Sequence, residues 1–99
     1  VMKILVYGST KERAFYKLQN LLDNMRYGDV SKVRKSSFDF AVELKNGDTF
    51  QAVTVSDNVR GRKWDYAYID VLIDVSLINN VIFPSFSYKG NLEDSYEWY

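Results

Sequence analysis

Asn46-Gly47, set between two alternating runs, constrains this 99-residue chain more than any other feature. Phe38, Phe40, Val42 and Leu44 alternate with Asp39, Ala41 and Glu43, and a second alternating run extends over 49–55. A period of two marks a strand with one buried face. Asn-Gly supplies the positive-φ residues that a tight two-residue turn requires. The spacing therefore predicts a hairpin pairing 44 with 49 and 42 with 51, so that Phe40 faces Val53 and Phe38 faces Val55. A chain of this length holds a single core, and the hairpin must be part of it.

The other segments attach to that hairpin. Met2 to Tyr7 is a short apolar run broken by Gly8, the pattern of a central strand covered on both faces. Ser9-Thr10-Lys11-Glu12 matches a capping box, and Ala14, Phe15, Leu18, Leu21, Leu22 and Met25 follow at helical spacing, with Gly28 expected as the residue that ends the helix. Residues 29–37 are polar and basic, expected as a loop or a short irregular strand. Residues 56–64 read as a polar loop and 66–72 as a buried strand carrying one acid, Asp70. Residues 74–80 fit one or two helical turns. Val81-Ile82-Phe83 reads as a last strand closed by Pro84. The expectation is an α/β fold: a mixed sheet of about five strands, one main amphipathic helix and a prominent β-hairpin. It places one domain over 1–90 and an acidic, aromatic C-terminal tail over 91–99. Phe86 and Tyr88, next to Pro84, are expected to pack, and Tyr96, Trp98 and Tyr99, among Glu93, Asp94 and Glu97, to stay exposed.

Composition narrows the chemistry. The 46% apolar fraction, with six Phe, eight Tyr and two Trp, is enough for a core. The absence of Cys and His removes disulfides, thiol nucleophiles, thiolate or imidazole metal sites and His-based acid–base catalysis. No apolar run approaches the roughly 20 residues that span a bilayer, which gives the expectation of no membrane association and a cytoplasmic location. Charge is balanced at 13 against 13 but graded along the chain. Residues 1–36 hold eight Lys/Arg and three Asp/Glu, a net of +5, and residues 37–99 hold five and ten, a net of −5. The two halves are complementary and can neutralise each other on folding, or leave a basic face for nucleic acid.

Neither G-x-x-x-x-G-K-[S/T] nor G-x-G-x-x-G is present, and Gly8-Ser9-Thr10-Lys11 is explained by a strand-to-helix turn with its cap. The order of the later motifs is more specific. A strand-Asn-Gly-strand hairpin, then Arg60-Gly61-Arg62, then Asp65-Tyr66-Ala67-Tyr68-Ile69-Asp70, then Asn79-Asn80-Val81-Ile82-Phe83-Pro84 resembles the ATPase core of phage terminase large subunits and related helicase-like motors. The strand–turn–helix of Lys3 to Met25 looks like the preceding unit of that core. The resemblance implies a P-loop-NTPase-like core lacking Walker A, with Asp70 in the place of the Walker B aspartate and hence a candidate Mg²⁺ contact. The next position, where the family has its catalytic glutamate, is Val71, and Asp74 does not replace it. With two of the three groups for phosphoryl transfer missing, the resemblance implies a reduced core without ATP turnover. Asp70 reads equally as a strand-end residue accepting a backbone N–H.

Arg60, Arg62, Lys63 and Trp64 put three cations and an indole within five residues, a combination that neutralises phosphates and stacks on a base, and Lys32, Arg34 and Lys35 can extend it. The alternative is a solvated loop with Trp64 anchoring the next strand. Tyr96, Trp98 and Tyr99 are candidate anchors for a protein partner. The function expected is a small phage-type accessory protein, non-enzymatic and without cofactor, that binds nucleic acid or a host or phage protein through the basic loop. Two alternatives stand beside it: an ATP- and metal-dependent packaging or helicase-like motor fragment, with Mg²⁺ and nucleotide, and an inhibitor of a host enzyme acting through the acidic tail.

Overall fold

Lys3–Gly8 forms the strand, β1, around which the rest of the chain is arranged. Leu5, Val6 and Tyr7 are wholly buried, as an apolar strand covered on both faces should be. The computed structural model describes residues 1–55 and 62–99. The chain is a small α/β domain with one six-stranded mixed sheet and a helix on each face. After β1 come α1 (Lys11–Asp23), β2 (Val30–Lys35), β3 (Phe40–Leu44), β4 (Thr49–Thr54), β5 (Tyr66–Ile69), a short α2 (Val75–Leu77) and β6 (Tyr96–Trp98). The sheet order is β2-β3-β4-β1-β5-β6. β2, β3 and β4 form an antiparallel meander, and β4, β1, β5 and β6 are parallel.

The hairpin forms, but its register is one residue away from the expected one: Val42 pairs with Phe50 and Glu43 with Thr49. The turn is the cause. Gly47 takes a positive φ of 97° while Asn46 does not. The Gly47 N–H donates to the Leu44 carbonyl at 3.0 Å, and the Leu44 N–H donates to the Asp48 carbonyl at 2.8 Å. This is a three-residue loop ending in a left-handed glycine, and its extra residue slides β4 along β3. The slide puts Phe50 and Ala52 on the same buried face as Phe40 and Val42. In the two-residue register Val42 would oppose Gln51, with polar and apolar residues sharing a face. Phe38 falls outside β3, is 88% exposed, and lies under the Lys11 ammonium at 5.5 Å.

Three further segments depart from expectation, and in a fourth one of two open readings holds. Helix α1 is capped by Thr10, whose hydroxyl accepts from the Arg13 N–H at 3.2 Å, so Ser9 is freed from the cap. The helix ends at Asp23, and Gly28 sits in a separate tight turn, Tyr27–Asp29. Residues expected as a loop or irregular strand form β2, an exposed edge strand with a bulge between Val30 and Lys32. Val81-Ile82-Phe83 is helical rather than a strand. α2 runs on through a wide turn, Ile78–Ile82, and a tight one, Phe83–Ser85, where Pro84 sits in a first turn that needs no N–H from it. Ile78, Val81 and Ile82 are all buried, the three- and four-residue spacing of a helix face.

The terminal segment is not a free arm. Tyr96–Trp98 adds to β5 as a parallel strand, pairing Ala67 with Tyr96 and Ile69 with Trp98. The Tyr99 N–H donates to the Ile69 carbonyl at 3.0 Å, its hydroxyl donates to the Tyr7 carbonyl at 2.8 Å, and the Val71 N–H donates to the Tyr99 carbonyl at 2.9 Å. Without β6, the outer backbone groups of β5 would lack partners.

The two layers are offset. Helix α1 packs on β3, β4 and β1, closing a cluster of Ile4, Val6, Ala14, Leu18, Phe40, Val42, Phe50 and Ala52. The α2 segment closes the opposite cluster, in which Leu5, Tyr7, Val53, Ala67 and Ile69 meet Trp64, Ile78, Val81, Ile82 and Phe86. A Cβ at Gly8 would lie 2.6 Å from the Ala14 nitrogen and 2.8 Å from its Cβ, so only glycine lets α1 fold back this closely onto β1. Among the described residues, the offset leaves β2, β3 and the adjoining part of β4 without a helix on the α2 face. There they form a groove floored by Ala41, Thr49 and Gln51.

Candidate nucleic-acid interface and the Asp70 ion pair

Asp70 directly follows β5 beside the turn from β1 to α1, and its side chain is wholly buried. Arg13, one turn into α1, reaches it with Nε at 2.6 Å and Nη2 at 2.9 Å. The Ser9 N–H donates to Oδ2 at 2.8 Å, the Ser9 hydroxyl donates to the same oxygen, and the Leu72 N–H donates to Oδ1 at 2.9 Å. Burial alone would raise the carboxyl pKa. The hydrogen bonds from Arg13, Ser9 and Leu72 outweigh it and hold the group well below the usual carboxylate range. Asp70 thus carries the strand-end N–H acceptance expected of it and two further partners. A divalent cation would compete with Arg13 for the same two oxygens. Among the described residues no three His, Cys, Asp or Glu side chains stand together to hold a metal.

The basic residues separate into groups. Lys32 and Arg34, two apart on β2, project to the uncovered face and line a groove of about 330 Å³ with Lys3 and Arg62. Its one lining acid among the described residues is Glu43, across from Lys32 on β3. Asp39 lies beside the groove, accepting from Arg34 Nε at 3.0 Å and from Gln51 Nε2 at 2.6 Å. Lys35 turns to the α1 face, donates to Gln19 at 2.8 Å and covers the Phe40 ring at 4.7 Å. Lys63 is exposed beside Asp65 and Lys89, in a second depression that meets the groove at Lys3 and Thr49. Arg60 lies outside the described residues.

Trp64 is not a stacking platform. It is wholly buried, its Nε1 donates to the Ile82 carbonyl at 2.9 Å, and its ring packs on Phe86 at 5.0 Å. A large aromatic flanked in sequence by cations gained more from the core than from solvent, and its one polar atom found a partner there. Of the aromatic trio, Tyr96 packs on Phe83, Tyr99 is half-buried against the α1 cluster, and Trp98 alone remains largely open at 46% exposure. Burial, more than the nearby Asp70 charge, pushes the Tyr99 phenol up, and the Arg13 charge only partly offsets it.

Two members of these sites were not foreseen. No sequence motif singles out Arg13; the complementary charge of the two halves is the one signal that bears on its pairing with Asp70. Lys3 joins the groove because β1 pairs with β4, a neighbour that no local pattern names. Comparison with protein-family models, with curated proteins and with solved structures found no match to this chain.

Proposed function

We propose that this chain is a non-catalytic binding protein that takes a single-stranded nucleic-acid backbone along the uncovered half of its sheet. The observation that carries this reading is the convergence of Lys3, Lys32, Arg34 and Arg62, from three separate stretches of sequence, on one open groove. Four cations against Glu43, with Asp39 paired to Arg34 beside the groove, favour a polyanion over a neutral ligand, and a sheet face that carries no helix among the described residues accepts an extended chain. Among the described residues no recognition helix faces the groove, so binding is by charge and insensitive to sequence. The reading places the site on the sheet rather than on the loop around Trp64, and it keeps the role of a small phage-type accessory protein.

Labelled single- and double-stranded oligonucleotides at low salt test it. Binding to single strands should weaken with a log–log salt slope of about −2 to −3, as expected for three or four phosphate contacts. Lys32→Glu with Arg34→Glu should abolish it, and Trp64→Phe should leave it intact. Undetectable binding at low salt removes the reading.

The motor-fragment reading draws on one observation, the closeness of Asp70 to the Ser9 turn, which is the adjacency a P-loop-like core requires. The donors already on Asp70 weigh against it. Added Mg²⁺ with ATP should neither raise the melting temperature nor be turned over, and turnover lost in Asp70→Ala would favour the motor instead.

A further inference from the structure

The six-stranded sheet ends in two edges of opposite charge. β2 carries Lys32, Arg34 and Lys35 and no acid. β6 and the turn before it carry Glu93, Asp94 and Glu97 and no base. On β2, the Ser36 N–H bonds back to the Asp39 carbonyl, so antiparallel alternation turns the backbone groups of Arg34 and Lys32 toward β3 and those of Val33 and Lys35 outward. On β6, Tyr99 gives both its N–H and its carbonyl to the β5 side, which turns those of Trp98 outward. The two edges also run in the same direction, because two antiparallel steps separate β2 from β4 and every strand from β4 to β6 is parallel.

We infer that the chain associates with a second copy of itself head to tail, β6 of one copy adding as a parallel strand to β2 of the next. The side chains match on both faces of the sheet that results. Lys32 and Arg34 line the groove on the α2 face, and Trp98 lies on that same face, edge-on to Tyr96 at 5.4 Å. Lys35 lies on the α1 face, and so does Glu97, which accepts from the Tyr66 hydroxyl at 2.8 Å. A continuous sheet sets the open Trp98 ring against two cations and Glu97 against Lys35. The same charges discourage the other pairings open to a bare edge: β2 on β2 opposes cations to cations, and β6 on β6 opposes acids to acids. Because the joined surfaces differ, the contact propagates rather than closing as a two-fold dimer.

Sedimentation of the wild-type chain across a concentration series tests this. At low salt the average mass should rise with concentration past that of a dimer, and it should fall back to monomer at about 0.5 M salt, where surface charges are screened. Trp98→Lys, which leaves the groove untouched, and Val33→Pro, which blocks the outer edge of β2, should each abolish the rise. Mixing these two variants should give a one-to-one dimer and nothing larger, since each retains one working edge. If Val33→Pro does not fold, charge exchange serves instead: Glu97→Lys and Lys35→Glu should each lose association and the double variant should regain it. A wild-type chain that stays monomeric throughout the low-salt series overturns the inference, as does a dimer that persists in Trp98→Lys. Nucleic-acid binding by Trp98→Lys reports separately on the groove.

Discussion

Arg13 and Asp70 are joined by two hydrogen bonds of 2.6 and 2.9 Å between α1 and the end of β5, and the pair is lopsided: the Asp70 side chain is wholly buried, the Arg13 side chain 41% exposed. Removing the exposed partner therefore strands a buried charge. Arg13→Ala should destabilise the fold, because three hydrogen bonds from Ser9 and Leu72 are then all that offset the buried charge. The melting temperature should fall by at least the roughly 4 to 8 °C that 1 kcal/mol shifts a domain of this length. Thermal melts followed by circular dichroism check it, and a loss of only a degree or two would show that Ser9 and Leu72 suffice for Asp70.

The same pair sets a direction for acid sensitivity. The folded carboxyl of Asp70 lies below the usual range, so its contribution to stability is complete above the unfolded value of about 3.9 and is lost as pH falls below that toward the folded value. Denaturant midpoints should decline from about pH 5 downward in the wild-type chain and decline less in Arg13→Ala. Parallel slopes for the two chains would place the acid sensitivity elsewhere.

Trp64 gives a prediction about the core. Trp64→Ala should cost about 3 to 5 kcal/mol, the usual range for emptying a large aromatic site. Trp64→Phe should cost less, losing mainly the hydrogen bond to the Ile82 carbonyl. Chemical denaturation of both variants orders the losses, and equal losses would mean that the hydrogen bond outweighs the packing.

A stop after Gly90 removes β6, Tyr99 and the packing of Leu92 and Tyr96 on the core. The melting temperature should drop by more than about 10 °C, beyond the shift that 1 kcal/mol gives at this size. A truncated chain that melts within a few degrees of the full one would show that the sheet is complete with five strands.

The hairpin, α1, the central place of β1 and the buried strand at β5 were all legible, because each rests on a local period and a turn signal. The register of the hairpin was not, since Asn-Gly serves both a two-residue and a three-residue loop and only the match of Val42 to Phe50 decides between them. β2 was obscured by Lys32, Arg34 and Lys35, which are edge residues and give no apolar alternation. Ile78, Val81 and Ile82 carry a helical spacing that the β-branched run around them disguised. For the candidate site, Lys32, Arg34 and Arg62 were named from sequence and do share a groove. Lys3 and Arg13 reach their places through pairings between distant segments.

The position of β1 also sets how the molecule opens. Ile4 and Val6 lie in one hydrophobic layer, Leu5 and Tyr7 in the other, and β4 and β5 flank the strand. Its amides can then exchange with deuterium only when both layers come apart, whereas those of β2 and β6 are released by fraying at the rims. Exchange rates read across the sheet should fall from β2 to a floor at β1 and rise again toward β6, so that the strand in both hydrophobic layers is the last to let go.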